Sequence, residues 1–225
     1  MPTTGSPRSA YAPLNVQVHT PRLSLLGATD ELLERLVPAV RAGVATGPPW
    51  PFDDPMSLYA DGPDRVWRWL RSIWTGRGRV NPEFWRLYFV VVVDGEAVGM
   101  QDLIGTDFAK FGTVHTFSWL RPDLRGSGLG KEMRQAVLQL AFDGLAAREA
   151  GSDAFVDNGA SNRVSESLGY RPNGVSWDTR RGEPGQISCW RLTREQWAGQ
   201  RRDDIELVGV ADCLPVLGIA STPSS

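Results

Sequence analysis

Residues 86–103, RLYFVVVVDGEAVGMQDL, leave the chain few ways to fold. Residues 87–93 are aromatic or aliphatic without a break, an Asp94-Gly95 pair follows, and a second apolar stretch begins at once. The pattern is that of a β-hairpin with a two-residue turn. A strand apolar at every position has no face to offer water, so the sheet it belongs to must be covered on both sides. Together with the alternation of strand and helix patterns along the chain, this predicts an α/β fold with helices on both faces of a sheet.

The flanking segments supply those helices. Residues 23–43 read as a short strand and then a helix, with Thr29 or Asp30 as N-cap and Leu32, Leu33, Leu36, Val37 and Val40 at helical spacing. Pro38 is expected to kink or shorten it. A second helix is expected over about residues 64–74, with Val66, Trp67, Leu70 and Trp74 on its inner side and the tryptophans in the core. Between the two, GPPWPFDDP (residues 47–55) holds too many prolines for regular structure and makes a loop carrying Trp50, Phe52, Asp53 and Asp54. A third strand is expected at residues 112–120, and a helix after it with Met133, Ala136, Val137, Leu140, Ala141 and Leu145 on one face. Arg180 and Arg181 are expected in a solvated hairpin turn.

Bulk properties exclude several classes. The 225 residues suit one domain, read here as 16–202, with a mobile tail at 1–15 and a C-terminal extension at 203–225 that packs on its own domain or on a second subunit as a homodimer. A formal net charge of -2 does not suggest a nucleic-acid partner. Two cysteines, without zinc-ligand spacing, fit a reducing cytoplasm and no metal. The N-terminal stretch lacks the apolar region of a secretory signal, and the longest apolar run is far below the roughly 20 residues of a membrane-spanning helix.

The junction between the third strand and the following helix carries the chemistry. RGSGLG, residues 125–130, removes side chains from the backbone just before a helix N-terminus, where free N–H groups and about half a positive charge favour an anion. A Walker loop needs Gly at 125 and Ser or Thr at 132, where Arg125 and Glu132 stand. A dinucleotide fingerprint needs different glycine spacing after a first strand. What remains is Arg-x-x-Gly-x-Gly.

Arg125, Gly126, Ser127, Gly128, Leu129 and Gly130, after a strand ending in Trp119-Leu120, resemble the pyrophosphate loop of the GNAT superfamily of acyl-CoA-dependent N-acyltransferases. DNGASNRVSESLGYRPNG, residues 157–174, resembles that superfamily's later Asn-x-x-Ser … Leu-Gly-Tyr segment. The run before the loop, with Asn158 and Ser161, is most similar to the branch of ribosomal-protein N-terminal acetyltransferases. The resemblance covers roughly residues 20–200 and implies a GNAT-type mixed, mostly antiparallel sheet with a splayed central cleft.

It further implies an N-acyltransferase that moves an acyl group, acetyl first among them, from acetyl-CoA or another acyl-CoA directly to a primary amine of a small molecule or a peptide or protein N-terminus. Arg125 to Gly130 with Lys131 would hold the pyrophosphate, and Asn158 the pantetheine arm. The tyrosine acid of many members is absent, its position being Ser165. Ser161 is then the thiolate acid of the resembled branch, or a helix-capping serine. The branch's usual glutamate base falls at His115, which is either base, directly or through water, or packed beside Phe117 and Trp119. Asp102 and Asp107 are alternative bases. Trp50, Phe52, Asp53, Asp54 and Asp107 are candidates for the acceptor site, with Trp50 and Phe52 also readable as apolar plugs. Two other functions stay open: a donor acyl group borne on an acyl carrier protein, and a noncatalytic acyl-CoA-binding module.

Overall fold

The computed structural model describes residues 8–45, 47–52 and 62–220; Asp53 and Asp54 lie outside the described residues. Nine strands form one sheet: β1 Gln17–His19, β2 Ser24–Gly27, β3 Phe84–Val93, β4 Glu96–Thr106, β5 Thr113–Leu120, β6 Glu149–Phe155, β7 Arg171–Arg180, β8 Glu183–Thr193 and β9 Glu206–Val208. Their order is β7-β8-β6-β5-β4-β3-β2-β1-β9. Every neighbouring pair is antiparallel except β5 and β6. Asp94 (φ 49°) and Gly95 (φ 81°) make the β3–β4 turn, both in the left-handed region that the tight hairpin requires.

Helices cover both faces, as the doubly apolar β3 demands. Val90 packs with α1 (Asp30–Ala42) and α2 (Asp64–Gly78), whereas Leu87, Phe89 and Val91 pack with α4 (Leu129–Gln139). The α4 side also receives α5 (Gly159–Ser167), because Asn162 takes a hydrogen bond of 2.9 Å from the Trp190 indole of that core. The remaining helices are short: α3 Phe108–Phe111, α6 Arg194–Ala198 and α7 Val210–Cys213. Met133, Ala136, Val137, Leu140, Ala141 and Leu145 are all buried, as their spacing predicts, with residues 140–144 continuing α4 as a π-turn. The C-terminal segment packs on its own sheet: β9 pairs with β1, and Cys213 and Leu217 are fully buried in the α4 core.

Thr29 caps α1 by accepting from the Leu32 N–H, and Pro38 does not shorten the helix, which runs on to Ala42. The expectation for the second helix is corrected. In α2 the buried side chains are Trp69, Leu70 and Ile73, while Trp67 and Trp74 are 45% and 47% exposed. The segment has more apolar residues than one face can hold. The pair that loses the core finds polar partners instead: Arg71 lies over the Trp67 ring, and the Trp74 indole donates to Asp30.

The feature that positions a site is the parallel pair. β5 and β6 are joined only at Thr113–Glu149, Val114–Ala150 and His115–Gly151, after which β5 continues to Leu120 and β6 to Phe155 without pairing. The sheet therefore forks, open at the carboxyl ends of both strands, and α4 begins beside the opening.

Candidate functional site

At the mouth of the fork, Gly126 and Gly128 have φ of 79° and 84°. Gly128 is the N-cap of the 11-residue α4 in the left-handed conformation, so the chain turns sharply and exposes its amides. Lys131 and Glu132 donate their N–H groups to the Gly128 carbonyl, but among the described residues the N–H groups of Gly126, Ser127, Gly128, Leu129 and Gly130 donate to nothing. Five successive unpaired donors at a helix N-terminus form a concave positive site for an anion.

The side chains around this nest are placed differently from the reading by position. Arg125 turns its guanidinium back to the carbonyls of Val44 and Leu120, and its partial burial pulls its pKa down. It ties the segment after α1 to the end of β5. The Ser127 hydroxyl closes its own turn on the Leu124 carbonyl at 2.7 Å, and Leu129 is buried in the core, so both contribute backbone. The cation beside the nest is Arg22, from the β1–β2 turn. It donates to the Ser127 carbonyl at 3.1 Å, and a Cβ on Gly128 would lie 3.4 Å from its Nη2.

Arg22 is held there by Glu132. Its Nε lies 2.5 Å from one carboxylate oxygen, while the Thr20 hydroxyl donates to the other at 2.7 Å. Burial pushes the Glu132 carboxyl up, but these two partners outweigh it and hold it below its ordinary value.

On the opposite face of the sheet, cross-strand neighbours form two rows that end at the fork: Arg86, Ile104 and His115, then Tyr88, Asp102 and Phe117. His115 belongs to the last β5–β6 rung, and its side chain is 58% exposed. Its ring lies against Gly151, where a Cβ would come within 2.4 Å of it, so any larger residue there would displace the imidazole. Its Nδ1 is 3.7 Å from the Asp153 carboxylate, too long for a hydrogen bond but within ion-pair range for an imidazolium. With its side chain 58% exposed, His115 does not pack as a core histidine.

At the end of β6, Asn158 caps α5 by accepting the Ser161 N–H at 3.2 Å. The cap is the asparagine side chain. The Ser161 hydroxyl makes no hydrogen bond among the described residues and is partly accessible. Ser165 is buried, in the core side of the same helix.

The loop with Trp50 and Phe52 closes over the same face as His115. Phe52 is 7% exposed and meets the Phe117 ring at 5.7 Å, which makes it a plug. The Trp50 carbonyl accepts from Arg180 at 3.0 Å, and Arg181 lies over the Trp50 ring. Arg180 is not the solvated turn residue that local sequence suggests: it pairs with both oxygens of Asp157 at 2.8 and 2.6 Å and stacks on Phe155. It braces the loop against the end of β6. Asp107 is not brought to this group; it lies at the closed end of the fork, paired with Lys110 at 2.7 Å.

Residues 30–171 match the family model of the acetyltransferase (GNAT) domain. The chain belongs to the GNAT family. It is an acetyltransferase by that membership. Among solved structures, a GCN5-related N-acetyltransferase from Brucella melitensis is similar at 17% identity and a TM-score of 0.62, covering 81% of this chain and 80% of the other. RimL, a ribosomal L7/L12 alpha-N-protein acetyltransferase in complex with coenzyme A, is similar at 15% identity and a TM-score of 0.61, over 77% of this chain and 95% of its own. The microcin C7 self-immunity acetyltransferase MccE, in complex with acetyl-CoA and AMP, gives 14% and 0.61, over 77% and 93%. These structures share the overall fold of this chain.

Three residues of this candidate site were not named from sequence: Arg22 and Asp153, which reach it only by folding, and Arg86, which covers Asp102. Asp102 is 2% exposed; Arg86 donates to one of its oxygens at 2.8 Å, and the other oxygen has no partner. Burial raises its pKa to about 6, with Arg86 pulling the other way. Because the folded value lies above the ordinary 3.8, the folded chain holds more protons than the unfolded chain between about pH 4 and 6. This carboxyl therefore contributes stability that is fully present below about pH 4 and lost as pH rises through about 6. Denaturant melts of the wild type and Asp102→Asn at pH 5 and 7 check it: the wild-type increment between these pH values is expected to shrink in the variant. No shrinkage would place the titration elsewhere.

Among the described residues, no helix is long and apolar enough to cross a membrane, and no group of three His, Cys, Asp or Glu residues is placed to hold a metal ion.

Proposed function

We propose that this chain moves an acetyl group from acetyl-CoA directly to a primary amine, on a small molecule or a protein N-terminus. The observation that carries the reading is the row of five unpaired N–H groups at the N-terminus of α4, beside an open β5–β6 fork. A pyrophosphate fits the nest. The pantetheine arm then enters the fork and pairs with the free edges of β5 and β6 as an added strand would, which leads the thioester inward.

The acceptor approaches from the α1–α2 face, where His115 and Asp153 stand. An α-amino group ionises near pH 8 and a lysine near about 10.4, so the proton of an α-amine is the easier one to remove. His115 takes it, directly or through one water, and Asp153 is placed to pair with the imidazolium. The amine attacks the thioester carbonyl, the C–N bond forms as C–S breaks, and the Ser161 hydroxyl gives its proton to the departing thiolate as it regains one from the second N–H that the acylated nitrogen sheds. The relatives include both an alpha-N-protein acetyltransferase and a microcin self-immunity enzyme, so both acceptor kinds belong in the test panel.

Calorimetric titration of acetyl-CoA and of acetyl-pantetheine tests the donor. Acetyl-CoA is expected to bind much more tightly, because only it fills the nest. Equal affinity would favour a carrier-protein donor, and binding without thiol release across the amine panel would favour a binding module. Arg22→Gln is expected to weaken acetyl-CoA by about tenfold, the worth of a charged hydrogen bond, while leaving acetyl-pantetheine unchanged. An equal loss for both ligands would mean that Arg22 acts on the fold and not on the nucleotide.

A further inference from the structure

The α4 face of the fork carries a polar group that the reaction above does not use. Beyond the last rung, the first residues of the two parting strands are Thr116 and Ser152, and both face α4. Thr116 lies two residues after Val114 of the α4 core and so on the same face of β5, and Ser152 accepts from Arg134 of α4 at 2.7 Å. Arg134 is 5% exposed and forms no ion pair among the described residues, and its Nε has no partner. The hydroxyls of Tyr170 and Thr116 are buried beside it; they make no hydrogen bond of good geometry, although Tyr170 lies close enough to both Arg134 and Thr116 to interact with them. Burial raises the Tyr170 pKa, while Arg134 and Thr116 are near enough to pull it down.

A buried guanidinium without an anion is costly, and buried hydroxyls are ordinarily hydrogen-bonded. Here a cation without an anion and the two buried hydroxyls of Tyr170 and Thr116 meet at the apex toward which the donor's thioester would be led. We infer that this apex receives the far end of the donor's acyl chain, and that the enzyme accepts carboxylate-terminated acyl groups, of the malonyl or succinyl type, besides acetyl. This rests on the donor reading above. The distal carboxylate pairs with Arg134 and accepts from Tyr170 and Thr116. The transfer itself is unchanged: the amine displaces the thiolate at the carbonyl, its first proton leaves to His115, its second passes through the Ser161 hydroxyl to the sulfur, and the distal carboxylate stays intact.

Calorimetry with acetyl-, butyryl-, malonyl- and succinyl-CoA decides it without knowledge of the acceptor. Butyryl and succinyl have the same chain length and differ in terminal charge. Malonyl- or succinyl-CoA is expected to bind about tenfold or more tighter than butyryl-CoA. Arg134→Gln should remove that preference and leave acetyl-CoA unchanged, and Tyr170→Phe should reduce it severalfold. If Arg134→Gln fails to fold, the wild-type comparison and Tyr170→Phe still decide. Butyryl-CoA binding as well as both dicarboxylic donors, with acetyl-CoA bound, would overturn this inference alone. Failure of every CoA thioester to bind would overturn the donor reading with it.

Discussion

Gly128→Asp is expected to abolish detectable acetyl-CoA binding while the protein keeps its fold. Gly128 has φ 84° and ψ -7°, a left-handed conformation that aspartate tolerates better than most residues, so the N-terminus of α4 can form. The new side chain nevertheless leaves the backbone on the side of the nest, close to Arg22. Its carboxylate would draw Arg22 to itself and set a negative charge where the pyrophosphate belongs. Two favourable terms are lost and one repulsion is added. A loss of at least about a hundredfold, or about 2.7 kcal/mol, is expected in calorimetry. Thermal melting should shift little, and Gly128→Ala, which adds bulk without charge, should lose less. Affinity within about threefold of wild type would remove the donor from this loop.

His115→Ala is expected to lower turnover by about a hundredfold to ten-thousandfold, the range for loss of a general base, with donor affinity nearly unchanged. The separation of effects follows from the fork. His115 lies on the α1–α2 face, exposed above Gly151, whereas the nest and α4 lie on the other. Removing the imidazole leaves the donor's contacts in place. Stability should change little, since the ring is exposed and covers only a glycine. The measurement is single-turnover thiol release with any amine found active, alongside calorimetry of acetyl-CoA. Unchanged turnover would move the base to Asp153 or to a water. A parallel loss of donor affinity would mean that His115 shapes the fork and does not handle the proton.

Much of this architecture was legible from local sequence because local rules produce it. The 87–93 run requires a doubly covered strand, Asp94-Gly95 requires a tight turn, and the spacing of Met133, Ala136, Val137 and Leu140 requires a buried helical face. The bare RGSGLG segment before that helix was equally readable, since a nest is built from consecutive residues; the cap of α5 was not, because the sequence offered Ser161 and the structure uses Asn158.

What was misread depended on competition or distance. In α2 the apolar residues exceed one face, and packing against α1 and the sheet decides that Trp69 and Ile73 enter while Trp67 and Trp74 stay out. Arg125 reads as the anion's cation by position, yet carbonyls of Val44 and Leu120 claim its guanidinium, and Arg22 stands by the nest across 105 residues of chain. Arg180 reaches Trp50 across 130 residues, and Arg134 meets Ser152 across 18.

The sequence by itself determined the elements, the glycine nest and the family, because each is encoded within a few turns of helix or one strand and its turn. Only the tertiary structure decided that β5 and β6 part after His115, which charges stand at the opening, and that Arg134 is buried without an anion at its apex. Those outcomes depend on which distant groups compete for each hydrogen bond and each volume of core, and no local spacing records that competition.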